Sequence, residues 1–134
     1  MDMEKDILLS LAKLVLPKGL LESFVITGME YVKNERYDEP ELHIHLDESV
    51  PQKLCEKYHI ESKGFMEAVK VTDFPIRDHK VVLVLRRRRW VDTRTGKSFS
   101  FPLKITAEGT RYSKEFAAFL KDALGEIPDN LPYT

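Results

Sequence analysis

The chain has 134 residues, which fits one compact domain, and 43% of them are hydrophobic, enough for a core and too many for a disordered chain. Its formal net charge is −1, so charge total alone does not mark a nucleic-acid binder. One cysteine, Cys55, excludes an internal disulfide and a four-cysteine zinc site.

The start is acidic (Asp2, Glu4, Asp6), which is wrong for a secretory leader, and no apolar run approaches the roughly 20 residues of a bilayer-spanning helix. The expectation is a cytoplasmic protein with no membrane partner. Apolar residues at 7, 8, 11, 14 and 15 predict a helix over residues 6–16. Pro17 and Gly19 end it, and residues 18–23 read as a second turn. Residues 24–32 are β-rich and predict a strand with a bulge at Gly28. Residues 33–40 read as a hairpin loop. Residues 41–46 alternate strictly, with Leu42, Ile44 and Leu46 inward and His43 and His45 outward. Ser49 as N-cap and Pro51 in the first turn predict a short helix over 51–58. Gly64 breaks the chain, and residues 65–74 read as a further strand that turns at 75–79.

Residues 81–97 organise the rest. Val81, Val82, Leu83, Val84 and Leu85 run directly into Arg86, Arg87, Arg88, Arg89 and Trp90. A β-branched run of this kind predicts a strand. Residues 92–96 read as a tight reversal, with Gly96 free to take positive φ, and residues 98–101 as the return strand. Because side chains alternate faces along a strand, no register puts all four guanidiniums on one side. The simplest solution buries the aliphatic half and projects the basic half past the sheet edge, as a two-sided cationic hairpin tip with Trp90 at its root. Residues 65–103 would then form a three-stranded meander. Charge is distributed accordingly. Residues 77–97 carry eight basic side chains against two acidic ones, and the other 113 residues carry 13 basic and 20 acidic. Such a tip suits phosphates and guanine edges, and a two-stranded ribbon fits the DNA major groove. The competing reading is a solvated edge strand whose charges block aggregation. Phe99 and Phe101 could stack on bases, or lie in the core beneath the hairpin.

Two weaker constellations stand beside this one. His43 and His45 share a strand face and, with Asp47 or with Cys55 and His59, could hold a metal; the competing reading is two exposed histidines and a structural thiol. No nucleophile elbow, phosphate loop or zinc-helix motif is present, so no catalytic residue and no cofactor are assigned. Ser113 caps a final helix whose stripe is Phe116, Phe119, Leu120, Ala123 and Leu124; Gly125 stops it and Pro128 follows.

The stretch from Val71 through Phe74, Pro75 and Arg77, the run from Val81 to Trp90, and Thr95, Gly96, Lys97, Ser98 and Phe99 together resemble the N-terminal region of ISL3-type bacterial insertion-sequence transposases, with the ISAon1-like N-terminal region proteins the closest in kind. Leu16 to Leu21 and Gly109 to Leu120 extend the resemblance over residues 16–124. In those relatives the region resembles a zinc ribbon. Here Trp90 to Gly96 stand where a cysteine pair would be, so the resemblance implies a degenerate, zinc-free ribbon held by hydrophobic packing. The expectation is an α+β fold in a single domain, 1–134, with an antiparallel sheet packed between an N-terminal helical segment (1–23) and a C-terminal helix (110–125). The β-rich body spans 24–109, and the tail 126–134 is loose. The resemblance implies a non-catalytic module that binds double-stranded DNA at transposon ends through Arg86, Arg87, Arg88, Arg89, Arg94 and Lys97, with Trp90 bracing the hairpin. A DDE-type nuclease on another segment or chain would supply catalysis. The alternatives are an interaction subunit that docks on that catalytic chain without touching DNA, and a small metal protein using His43, His45 and Asp47.

Overall fold

Residues 81–85 are all buried, on both faces of their strand. A continuous aliphatic run of this kind belongs in the middle of a sheet rather than at its edge. The computed structural model, which describes residues 2–107 and 110–125, places it there. Strand β5 (His79–Arg86) lies inside a four-stranded sheet with β1 (Phe24–Val32), β2 (Glu41–Glu48) and β4 (Val69–Ile76), in the order β1-β2-β5-β4. The β1–β2 and β4–β5 pairs are antiparallel, and β2–β5 is parallel. A second, three-stranded antiparallel sheet contains β3 (Ile60–Phe65), β6 (Arg88–Asp92) and β7 (Ser98–Phe99), in the order β3-β6-β7.

The α+β class with helices at both ends is therefore as expected, but two details differ. The central sheet is mixed, because an internal strand needs two neighbours and β2 supplies the second one in parallel register, Leu42 beside Val81 through Asp47 beside Arg86. The meander over 65–103 is divided between sheets. The strand expected at 65–74 is the end of β3 and most of β4, and the arginine strand breaks at Arg87 into β5 and β6. The two crossing points are tied together by a hydrogen bond in which the Met66 N–H donates to the Arg87 carbonyl, 2.7 Å.

Local signals account for most of the boundaries. In β1 the register shifts between Ile26 and Gly28, where the bulge was expected. In the loop that follows, Asn34 Oδ1 accepts from the Arg36 N–H and its Nδ2 donates to Glu41, 2.9 and 2.8 Å, an Asx-type turn. Leu42, Ile44 and Leu46 face the main core, together with Leu16, Leu20, Phe24, Val71, Val81, Leu83 and Leu85. The short helix α3 spans Gln52–Tyr58 with Pro51 at its N-cap. Ser49 does not cap it; its hydroxyl donates to the Ser23 carbonyl, 3.0 Å, and so ties the end of β2 to the start of β1. Helix α4, Lys114–Leu124, is capped by Ser113 and ended by Gly125 in the left-handed region. It buries Phe116, Ala117 and Leu120 with Tyr112 in a second small core, while Phe119 and Leu124 stay exposed. Pro128 and the expected loose tail, 126–134, lie outside the described residues.

At the other end, helix α1 spans Met3–Val15 and the single turn α2 spans Leu20–Ser23. Asp2 caps α1 by accepting from the Glu4 N–H, 3.0 Å. None of the α1 residues is buried, and Met3, Ile7, Leu8, Leu9, Leu11, Leu14 and Val15 are all exposed. Among the described residues no helix is long and apolar enough to cross a membrane.

Candidate nucleic-acid interface

The arginine run reaches two sheets at once, and this decides where each guanidinium goes. Arg86 ends β5 beside Asp47 of β2. Their side chains form a two-pronged ion pair, Nε to Oδ1 at 2.7 Å and Nη2 to Oδ2 at 2.6 Å. The hydrogen bonds from Arg86 hold the Asp47 carboxyl below its ordinary pKa despite the opposing effect of burial, and the same pair raises that of Arg86. Arg88 opens β6. Its backbone N–H donates to Glu48 Oε1 at 2.7 Å, its Nε to the Glu48 carbonyl at 2.6 Å, and its Nη1 to Ser62 Oγ at 2.9 Å. The Phe65 ring lies under both guanidiniums, with Arg86 Cζ at 4.1 Å and Arg88 Cζ at 4.4 Å from its centroid. Consecutive acids at the end of β2 thus receive alternate arginines, and the cluster joins one sheet to the other.

Arg87 faces the opposite way. It is half-buried; Nη1 donates to the Phe101 carbonyl at 3.3 Å, and Nε is buried without a partner among the described residues. Trp90 is fully buried, edge-on to Phe101 at 5.8 Å. It packs at the hairpin root and is closed off from stacking on a base. Phe99 and Phe101 are partly exposed and pack on each other at 5.5 Å.

The four arginines therefore do not form one projecting tip. Arg86 and Arg88 are engaged because parallel pairing with β2 brings Asp47 and Glu48 to the place where the aliphatic run ends, although Arg86 stays exposed, and Arg87 is engaged by the Phe101 carbonyl. What remains outward is smaller. Arg89 alternates to the face opposite Trp90 and is exposed, with no hydrogen bond or ion pair among the described residues. The reversal after β6 is built by Asp92, whose Oδ1 accepts from the Arg94 N–H at 2.9 Å and whose carbonyl accepts from the Gly96 N–H at 2.7 Å. Gly96 has φ of +76°, the left-handed conformation the reversal requires. The turn holds Arg94 and Lys97 exposed at its apex, Arg94 with only a long 3.9 Å approach to Asp92. Arg89, Arg94 and Lys97 are thus exposed cations on a hairpin whose root is packed.

The histidines are placed otherwise. His43 and His45 do share the face of β2 opposite the main core, but His43 is buried. Its Nε2 lies 2.9 Å from Glu41 Oε1, and that of His45 lies 3.1 Å from Glu30 Oε1. Asp47 of the same face is committed to Arg86. Among the described residues no three His, Cys, Asp or Glu side chains are grouped to hold a metal. Two further groups are perturbed by burial. Asp73, buried and accepting from Ser113 Oγ at 2.7 Å, has its carboxyl pushed up, and Lys80, near Glu41, is pushed down.

Sequence reasoning missed the partners of the arginines. A signal existed: Leu46, Asp47, Glu48 repeats in acidic form the apolar-to-charged switch of Leu85, Arg86, Arg87, as two adjacent parallel strands with paired ends would. No family model, curated protein or solved structure matches the chain.

Proposed function

We propose that the chain is a non-catalytic, DNA-binding module of an insertion-sequence transposase, which docks the β6–β7 hairpin on duplex DNA at the element's ends. The carrying observation is the exposure of Arg89, Arg94 and Lys97 on one hairpin with a packed root, in an otherwise mildly acidic protein. Guanidiniums already bonded to a carboxylate or a carbonyl, as in Arg86, Arg87 and Arg88, gain less from phosphate than unpaired ones, so Arg89, Arg94 and Lys97 would carry the contact. Arg86 and Arg88 act as scaffold in this reading. The order of sequence blocks that resembles the ISL3-type N-terminal region supports the same assignment, with catalysis on a separate nuclease segment or chain. The test is fluorescence anisotropy on duplex DNA carrying the inverted repeats that flank the reading frame. Arg89→Ala/Arg94→Ala/Lys97→Ala is expected to weaken binding at least about tenfold at low salt while leaving the thermal midpoint nearly unchanged. Unchanged affinity in the triple variant would overturn the assignment.

A second reading is favoured by α1, which packs on the main core through Ala12 while Met3, Ile7, Leu8, Leu9, Leu11, Leu14 and Val15 stay exposed. A 13-residue helix is marginal in water without tertiary packing, and its acidic first turn argues against an anionic membrane surface. In this reading α1 docks on the catalytic transposase chain, and the protein works as an interaction subunit. Co-purification with that chain should then survive nuclease treatment and be lost in Leu8→Glu/Leu14→Glu. Co-purification lost on nuclease treatment would leave DNA as the only link.

A further inference from the structure

Ala12 is the one residue of α1 that is not exposed, and it packs on the main core. With about 100° of turn per residue, Met3, Ile7 and Leu14 lie on the side of the helix opposite Ala12, and Leu11 on its flank. Each of these four is more than half exposed. They stand four, four and three residues apart, the spacing of the seam between two paired helices. The outward side of α1 is therefore its apolar side, the reverse of a helix that only covers its own core. A helix of 13 residues is marginal in water without packing, so such a seam asks for a cover. The same side of the main sheet is open elsewhere: Met29 and Tyr31 pair in register with Ile44 and Leu42, which face the core, yet both are exposed.

The charges along α1 select the partner. Asp2, Glu4 and Asp6 stand at its start with Lys5 among them, and Lys13 and Lys18 stand at and just beyond its end, all exposed. A parallel pair of such helices would set two anionic starts side by side, each with three acids against one lysine. An antiparallel pair turns each anionic start toward the other copy's lysines and opposes the two helix dipoles. With a two-fold axis between Ser10 and Leu11, it also lays Ile7 of each chain on Leu14 of the other, so one closed contact covers both seams. We infer that the chain pairs with a second copy of itself through α1, the helices antiparallel about that axis. The two stripes together present apolar area on the order of 1,000 Å², the lower bound of a specific interface, so the pair is reversible and forms in the micromolar range. None of Arg89, Arg94 and Lys97 belongs to α1, so the pairing stands apart from DNA binding, and it competes with the docking of α1 on a catalytic chain.

The test is sedimentation equilibrium of the intact chain from about 1 to 200 μM. The mass is expected to rise from monomer to dimer and no further. Ile7→Glu/Leu14→Glu is expected to stay monomeric throughout and to keep the thermal midpoint of the dilute parent, since neither residue is buried. Orientation is read from disulfide formation in a Cys55→Ser background under mild oxidation. Leu11→Cys, beside the axis, should cross-link to its own copy, and Met3→Cys should not, because antiparallel pairing holds the two copies of residue 3 roughly 20 Å apart. A chain that is monomeric over the whole range, or that grows past the dimer, overturns the proposal. So does a folded Ile7→Glu/Leu14→Glu protein that still dimerises, or Met3→Cys that cross-links as readily as Leu11→Cys. A monomeric chain that captures the catalytic transposase through α1 gives the seam another occupant and overturns it as well. Sedimentation of the unmodified chain decides the matter even if the double variant fails to fold.

Discussion

Trp90 has no exposed surface and meets Phe99 across the β6–β7 pair and Phe101 edge-on, so the hairpin's rigidity is concentrated in one side chain. Trp90→Ala should cost about 3–5 kcal/mol, read from urea unfolding, because removing an indole leaves a cavity that strands cannot close. Ser113 is a different kind of single point. Its hydroxyl donates to buried Asp73 at 2.7 Å and accepts from the Phe116 N–H at 3.3 Å. Ser113→Ala should cost about 1–3 kcal/mol, since it removes a helix cap and leaves a buried carboxyl short of a donor. Asp47 makes a pH prediction. Its folded pKa lies below the unfolded value near 3.8, so the pair with Arg86 stabilises the fold above that value, and this contribution disappears as pH falls through the lowered folded pKa. Asp73 titrates with the opposite sign: raised by burial, it contributes below 3.8 and loses that contribution as pH rises through its folded pKa. The Asp47→Asn variant isolates the first effect. Its stability deficit relative to the parent should be constant near pH 7 and shrink below about pH 4; a deficit that does not change with pH would show that the pair is not electrostatic.

At the scale of elements, much was legible. Alternation in 41–46, the bulge at Gly28, the reversal ending at Gly96 and the Ser113 cap all rest on interactions within a few residues, and short-range signals fix them. The arginine strand was legible as a strand but not as a break. Whether β5 and β6 continue one another depends on what lies beside residue 86, and that neighbour, Asp47, is 39 residues away in sequence. The candidate site suffered most from this. Arg86 and Arg88 have the same residue type as Arg89, and only long-range pairing separates scaffold from surface. Arg88→Ala should therefore lower stability by about 1–3 kcal/mol through the lost bonds to Glu48 and Ser62, whereas Arg89→Ala should stay within about 0.5 kcal/mol of the parent. Equal effects in thermal unfolding would contradict this division. Helix α1 illustrates the reverse limit: its periodicity predicts the helix correctly and says nothing of what covers it.

At the scale of the molecule, the protein is two sheets locked at a double crossing, with charge arranged unevenly upon them. Net charge near zero would keep long-range attraction to DNA weak, so under the proposed function the exposed hairpin cations would carry the binding. Three exposed cations imply a modest contact, one that a second copy or a catalytic chain would reinforce through avidity. The most direct test of the central claim, that DNA is met by Arg89, Arg94 and Lys97 while the inner arginines hold the fold, is the salt dependence of duplex binding. The account predicts that log affinity falls against log salt with a slope of about −2.7, three phosphate contacts, and that the triple alanine variant is nearly flat. The same slope in both proteins, or a slope lost in Arg86→Ala and Arg88→Ala proteins that remain folded, would contradict it.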